Sequence, residues 1–394
     1  MRMRDTSQPS RGLMFGGVAA AAVLAVLAGG GFVLATLKNQ SSQETTAGTE
    51  VQLTATSCDP AEISVKAGAN RFDIINNSDR PVEWEILDGV MVVAERENIL
   101  PGIRQTVSAN LAPGDYAITC GLISNPRGSL HVLPSQDYAA ASAKLSLRDY
   151  LGPLSEYKVY LTLESKAAVD AAKALAEAIH AGNLDQARQL YQQARTPFKH
   201  IEPVAYRMSD LEHAIDATAD YLEKREDDPE FSGFHRIEYG LFDQSSLDGL
   251  APIADRLVAD MTLLSARMKA LTLNPSMLIA LPGDMADHLL QGRIEKGENH
   301  YAHTDLADLD ASLAGIEKLA GLLQAVASGV DPKLADEIQS SVTGARSTLE
   351  GLKIGNDYPA YDQIDKPDRD RIANAFRNLA DVFSKLGSQI GVSA

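Results

Sequence analysis

Hydrophobic positions along this chain follow two different periods, and the change from one to the other falls near residue 134. Before it, apolar residues alternate with polar ones in four short runs, at 51–55, 63–65, 82–86 and 116–120. Turn-forming residues such as Asp59-Pro60 separate these runs. Short alternating runs at this spacing predict a small all-β sandwich over residues 51–134.

After Pro134 the composition changes to Ala, Leu, Asp, Glu and Lys, with few β-branched runs. Residues 135–143 form a short Ala/Ser linker, and apolar residues then recur at helical spacing through 144–394. Long helices joined by short loops pack as antiparallel bundles, so we expect an all-α helical bundle. The predicted helices are 154–182, 184–194, 209–225, 252–272, 275–296, 305–328, 331–352 and 367–390.

An uncharged apolar run, 12–37, follows three arginines near the N-terminus. About 20 such residues suffice to cross a bilayer. The basic flank indicates a cytoplasmic N-terminus and export of the rest of the chain. We interpret 1–38 as a signal peptide or an uncleaved signal anchor, and 39–50 as a flexible polar linker.

The formal net charge of −17 argues against nucleic acid as a partner. It does not distinguish a cation-binding protein from one that is simply soluble. The net charge therefore argues only against nucleic-acid binding and does not separate the other candidate functions.

The β region has the order of features of a cupredoxin. A late strand carries Cys120, a loop spans 121–128, and a final strand contains His131. His131 is the only histidine before residue 180, and the loop has neither His nor Met. An electron-transfer copper site with two imidazoles and a thiolate is therefore not expected here.

Three states of Cys58 and Cys120 remain open. In an oxidising compartment the pair favours a disulfide. Alternatively, the two thiolates hold copper or iron with help from nearby groups, or they are free buried thiols. The helping groups would be Met91 with Glu83, Glu85, Glu95 and Glu97.

In the helical half, His235 and Glu238 stand three residues apart in the predicted helix 232–242. This spacing places an imidazole and a carboxylate on one helical face, although such a pair also occurs as surface charges. Three more acidic residues interrupt apolar helical contexts, namely Glu202, Asp216 and Glu298.

These features together resemble the EfeO-type periplasmic iron-uptake family, in which a cupredoxin-like domain precedes an imelysin-family helical domain. The motif GFHRIE at 233–238 fits the family pattern GxHxxE. Further matches include EWEIL at 83–87, GVMVV at 89–93, ERENI at 95–99, IEP at 201–203 and YAHTDL at 301–306.

The resemblance implies a metal site formed by His235 and Glu238 with Glu202, Asp216 and Glu298. Such an oxygen-rich set suits Fe³⁺ or Fe²⁺ and would also accept zinc or calcium. Tyr301, His303 and Asp305 would orient these ligands, although Asp305 could instead cap its helix.

The resemblance also implies a periplasmic location, an iron permease in the inner membrane and a periplasmic haem peroxidase as partners. The expected role is non-catalytic binding and delivery of iron. Two alternatives are a metallopeptidase, although the chain has no HExxH, and a binding protein for an acidic polysaccharide with a bridging cation. A groove with Arg207, Arg225 and Arg236 would serve that last role.

Overall fold

The computed structural model describes residues 48–54, 57–120, 128–136, 138–139 and 147–390. The predicted signal or anchor segment lies outside these residues, as does nearly all of the predicted linker 39–50. Residues 49–394 form one compact unit, in which strands occupy the first part and helices the second. The predicted fold class, an all-β domain followed by an all-α domain, is therefore confirmed.

Nine strands are present in the described part of the β region. They are β1 Thr49–Leu53, β2 Cys58–Asp59, β3 Glu62–Lys66, β4 Gly68–Asn76, β5 Val82–Asp88, β6 Met91–Ile99, β7 Arg104–Leu111, β8 Gly114–Ile118 and β9 Gly128–Leu133. One sheet has the order β2-β1-β4-β7 and the other the order β3-β9-β8-β5-β6. Trp84 and Phe72 meet between the sheets with ring centroids 5.2 Å apart, at the centre of the apolar core.

The β region begins at Thr49, two residues before the predicted start at residue 51. Thr49 and Glu50 belong to β1 rather than to the linker, because β1 pairs in parallel register with the end of β4. The strands β4, β6 and β7 were also not predicted. Burial does alternate in β4 and in the second half of β7, whereas in β6 the six positions from Val93 to Asn98 are all half-buried and the two-residue period is lost.

Ten helices are present among residues 147–390. They are α1 Leu147–His180, α2 Leu184–Ala205, α3 Ser209–Asp216, α4 Gly233–Glu238, α5 Leu250–Ala270, α6 Pro275–Leu290, α7 Arg293–Lys296, α8 Asp305–Val330, α9 Pro332–Glu350 and α10 Lys366–Ile390. The helix α1 packs on α2 and α5, α8 packs on α2 and α9, and α10 packs on α6 and α9. By length and composition alone α8 could span a membrane, but it packs here within the bundle.

Several of the predicted helices have different bounds in the structure. The helix α2 runs eleven residues beyond the predicted end at residue 194, through Pro197 and Pro203. Its buried face, which includes Phe198 and Ile201, packs into the core, and this packing outweighs the low helix propensity of proline.

The predicted helix 209–225 ends early, at Asp216. The hydroxyl of Ser232 donates to the carbonyl of Ala214 at 3.2 Å, so the chain returning at residue 232 caps this end. Similarly, 275–296 is interrupted after Leu290, where Gly292 adopts a φ of 123° and the next helix begins at Arg293. The predicted helix 232–242 forms α4 and then a π-helical turn, Tyr239–Asp243.

Candidate metal centre

The centre begins with charged residues on the buried face of α2. Arg195, Lys199 and Glu202 recur every three or four residues and are at most 1% exposed. Ionised side chains at this depth are costly unless they are paired, so each requires partners from elsewhere in the bundle.

The motif helix α4 brings His235 to this face. Gly233 adopts a φ of +69°, and a Cβ at this position would lie 2.2 Å from the carbonyl oxygen of Ile215. Only glycine allows this approach of α4 to the end of α3. As a result, Nε2 of His235 lies 3.5 Å from Oδ1 of Asp216, the last residue of α3.

Glu238 orients the imidazole. Its Oε2 lies 2.7 Å from Nδ1 of His235, while its Oε1 accepts hydrogen bonds of 2.8 Å from the backbone amides of Tyr301 and Ala302. This contact favours a proton on Nδ1 and a lone pair on Nε2. Nε2 is buried and has no hydrogen-bond partner.

Glu298 completes a group of three with Asp216 and His235. One ligand atom from each residue lies within 4.8 Å of the others, and all three residues are buried. Asp305 holds the Glu298 loop in place, since its Oδ1 accepts from the amides of Glu298 and Asn299 at 2.5 and 3.0 Å. An imidazole nitrogen and two carboxylates are ligands that iron and zinc accept.

Three cations share the same carboxylates, of which Arg195 and Lys199 are fully buried and Arg293 is 12% exposed. Arg195 donates to Asp216 at 2.6 Å and to Glu298 at 2.9 Å. Lys199 lies 2.8 Å from Asp216 and 2.6 Å from Glu298. Arg293 reaches the other oxygen of Glu298 at 2.9 Å. Every oxygen of Asp216 and Glu298 is therefore near a positive charge, which a bound metal would have to share or displace.

The electrostatics of the cluster still favour an added cation. Burial alone would raise the pKa of Asp216, but Arg195 and Lys199 outweigh it and lower this pKa to about 2. The pKa of Glu298 is likewise held well below its usual value, because Arg293, Lys199 and Arg195 outweigh burial. Five carboxylates pair with the three cations, which leaves a formal excess of negative charge; they are Glu202, Glu212, Asp216, Glu298 and Asp308.

Two of the five predicted ligands, Glu202 and Glu238, do not belong to the group of three. Glu202 binds Lys199 and Arg293 with one oxygen, and its other oxygen accepts from Ser312 at 2.6 Å. It supports the cations instead of joining the group of three. Glu238 also stands apart from that group, because it contacts the opposite nitrogen of the imidazole.

The residues predicted to orient ligands take separate roles. Tyr301 supplies a backbone amide to Glu238, and its hydroxyl donates to Glu226 at 2.8 Å. Asp305 fixes the Glu298 loop. The backbone of His303, with a φ of 54°, accepts from the amide of Tyr361 at 2.9 Å. No side-chain contact between His303 and the centre is present among the described residues.

Sequence reasoning missed the three cations and Asp308, which accepts from Arg195 at 2.7 Å. A signal for them existed. Arg195 and Lys199 lie at helical spacing beside the apolar Ala194 and Phe198, the same kind of context that singled out Asp216.

In the β domain, Cys58 and Cys120 are joined by a disulfide that closes a separation of 62 residues. Neither sulfur is then a thiolate, so the copper or iron alternative has no thiolate donor in this form. Glu83 lies 3.4 Å from His213, and Glu85 accepts from Ser209 at 3.3 Å. Met91 packs against the core of the helical domain.

The predicted arginine groove is not available in full. Arg207 is 8% exposed and binds Asp284, whereas Arg225 is exposed and binds Asp220 at 2.6 Å. Arg236 lies over the ring of Tyr239 at 5.7 Å. An acidic polysaccharide would therefore have to compete with the existing partners of Arg207.

Comparison with known proteins agrees with this architecture. A family model described as imelysin matches residues 153–386, and one described as a cupredoxin-like domain matches residues 24–132. The iron uptake system component EfeO of Escherichia coli O157:H7 is 36% identical over 345 residues, which cover 87% of this chain and 91% of the relative. The protein of the same name from Yersinia pseudotuberculosis is 36% identical over 335 residues, covering 85% and 89%.

Proposed function

This chain belongs to the EfeO family of iron uptake system components, and from that membership we propose that it binds iron at the His235 centre and delivers it to a membrane permease. The cargo would be held by Nε2 of His235 with carboxylate oxygens of Asp216 and Glu298. The observation that carries this proposal is the buried, unpartnered Nε2 facing Asp216. A buried polar atom without a partner is costly, and a metal would remove that cost.

The surrounding cations give the centre a means of release. Lys199 and Arg195 contact the same oxygens that the metal would use. When the ion leaves, these cations neutralise the carboxylates and keep the pocket folded. Binding and release would then exchange one set of positive charges for another, as a delivery protein requires.

We assign no catalysis to the centre. A zinc peptidase needs a carboxylate free to act as general base on a metal-bound water. Both oxygens of Glu238, the carboxylate of the motif, already accept hydrogen bonds or contact His235. This arrangement supports metal binding without hydrolysis.

Calorimetric titration of the purified protein with Fe²⁺ under anaerobic conditions, ferric citrate and Zn²⁺ tests the centre. We expect tight iron binding that His235→Ala weakens at least ~100-fold and Glu238→Gln weakens ~10- to 100-fold, since an orienting partner typically contributes that much. His200→Ala is the matched control, because His200 also contacts a glutamate, Glu164 at 2.9 Å, elsewhere in the bundle. Absence of iron binding, or equal binding by wild type and His235→Ala, would refute the assignment.

Delivery is tested separately in cells. We propose a periplasmic location, an inner-membrane iron permease as recipient and a haem peroxidase as companion, following the family resemblance. Cells that produce His235→Ala in place of the wild type should accumulate radioactive iron slowly, whereas His200→Ala cells should match wild type. Normal uptake by His235→Ala cells would show that transport does not depend on this centre.

A further inference from the structure

We propose that Glu95, Glu97 and His288 form a second metal site, at the interface between the β domain and the helical domain, for a first-row transition-metal cation. The site is separate from the His235 centre and does not depend on the function proposed for it. Each domain supplies part of it, so neither domain contains the full ligand set.

Backbone geometry brings the three side chains together. Glu95 and Glu97 are two residues apart in β6 and therefore lie on the same face of the strand. His288 comes from the last turn of α6. Its Nδ1 lies 2.8 Å from Oε1 of Glu95 and 4.0 Å from Oε1 of Glu97.

The strand is held against the helix by its own hydrogen bonds. The amide of Glu97 donates to Oε1 of Gln291 at 2.8 Å, and the side-chain amide of Asn98 donates to the carbonyl of Gln291 at 2.8 Å. These bonds fix the register of β6 on the end of α6. The positions of the two carboxylates opposite His288 are therefore preorganised.

The imidazole is buried without hydrogen bonds. Both ring nitrogens of His288 lack partners, as does Oε1 of Glu95, because their close approach does not have hydrogen-bond geometry. The His288 side chain is 2% exposed, and its ring stacks on Tyr206 with centroids 4.5 Å apart. An imidazole aimed at two carboxylates, with no hydrogen bond to satisfy it, fits a metal ligand better than a structural histidine.

The local charge is also suited to a cation. The Glu95 and Glu97 carboxylates, each 10% exposed, lie close to each other and to the carboxylate of Glu212, with Arg293 as a nearby positive charge. Nearby acids therefore destabilise one another when they are ionised. A bound cation would remove that repulsion.

Two cavities connect this site to its surroundings. A cleft of about 890 Å³ between the domains is bordered by Glu95 and His288. A smaller cavity of about 60 Å³ is bordered by Glu97, Asp216 and Glu298. Glu95 and His288 therefore border the interdomain cleft, from which an ion could reach the interface site.

Two carboxylates and one imidazole leave coordination positions for water, which suits an exchangeable Fe²⁺, Mn²⁺, Co²⁺ or Zn²⁺ ion. Zn²⁺ and Co²⁺ are practical probes, because neither requires anaerobic handling and Co²⁺ reports its ligands by visible absorption. The purified protein should bind two Zn²⁺ ions per chain.

The test compares four variants by zinc calorimetry and cobalt absorption. The double variant Glu95→Gln with Glu97→Gln, and separately His288→Gln, should lose one ion or bind it ~100-fold more weakly. His180→Gln is the control, since His180 also faces a carboxylate, Asp255 at 2.8 Å, but its side chain is 50% exposed and lies outside the site. His235→Ala should lose the other ion and keep the interface one.

The outcomes separate the two sites. If His235→Ala removes no ion while the interface variants remove one, the interface site stands and the function proposed for His235 fails. If the interface variants bind as many ions as wild type, with unchanged affinity and cobalt spectrum, the inference is wrong. If a variant fails to fold, the site can be tested by anomalous scattering from wild-type crystals grown with zinc. Anomalous density beside His288 would support the site, and its absence there would overturn it.

Discussion

A Cβ on Gly233 would lie 2.2 Å from the carbonyl oxygen of Ile215, so the glycine of the motif is a packing requirement between α4 and α3. We expect Gly233→Ala to destabilise the protein by about 3 kcal/mol, because it combines a steric overlap with a left-handed φ of +69°. Chemical denaturation measures the change. Gly321→Ala is the control, since nothing lies within 4 Å of the added methyl in mid-helix, and it should be neutral or stabilising by about 0.5–1 kcal/mol. Equal effects of the two substitutions would contradict this account.

Lys199 should be essential to the metal-free centre. Lys199→Met leaves Asp216, Glu202 and Glu298 with fewer buried cations, and breaking such a pair costs about 3–5 kcal/mol. The same variant should bind Zn²⁺ more tightly than wild type, because the metal no longer competes with the ammonium group. Thermal unfolding with and without zinc measures both effects.

The control for Lys199 is Lys166→Met. Lys166 pairs with Asp170 at the surface, where its side chain is 68% exposed, so the substitution should change neither stability nor zinc affinity noticeably. A Lys199→Met protein as stable as this control would show that the buried cations do not hold the cluster together.

Stability should fall at alkaline pH through the contact of His213 with Glu83. Burial alone would lower the pKa of His213, but Glu83 outweighs it and raises the pKa from 6.5 to about 10. Because the folded-state pKa is raised, the stabilisation is fully present below pH 6.5 and is lost as the pH rises through 10. Unfolding free energies of wild type and His213→Gln, measured from pH 6 to pH 10, should therefore converge. Parallel curves would be inconsistent with this linkage.

The disulfide should contribute measurably to the β domain. A crosslink across 62 residues stabilises by about 4 kcal/mol in the chain-entropy model. The double variant Cys58→Ser with Cys120→Ser should therefore unfold at a lower denaturant concentration than the wild type. Because both cysteines are in the disulfide, denatured and unreduced protein should show no free thiol. Two reactive thiols in the unreduced protein would restore the metal-ligand alternative for the pair.

The sequence allowed the fold class to be predicted, since alternation and helical spacing are local properties. The early end of α3 at Asp216 was not predictable, because it depends on the distant contact from Ser232, whereas the break after Leu290 has a local signal in Gly292 that the helical spacing outweighed in the prediction. Local patterns carry no information about such contacts.

Part of the candidate centre could also be predicted from the sequence. His235 and Asp216 could be selected as polar residues in apolar helical contexts, Glu298 was selected through the family resemblance, and the structure brings these three together. Arg195 and Lys199 stand in a similar apolar context, but the sequence does not show which carboxylates they pair with. Those partners come from α3, the Glu298 loop and α8, more than a hundred residues further on in the case of Asp308.

The β6 strand has a consequence for how the protein behaves as a whole. The amide of Val92 donates to the carbonyl of Arg207, and Gln291 binds Glu97 and Asn98, so backbone bonding crosses the sequence boundary at residue 134. Separating the two halves would break these hydrogen bonds and expose the buried His288 to water. The regions before and after residue 134 should therefore unfold together, although their compositions differ. Calorimetry should record a single melting transition for the joined halves.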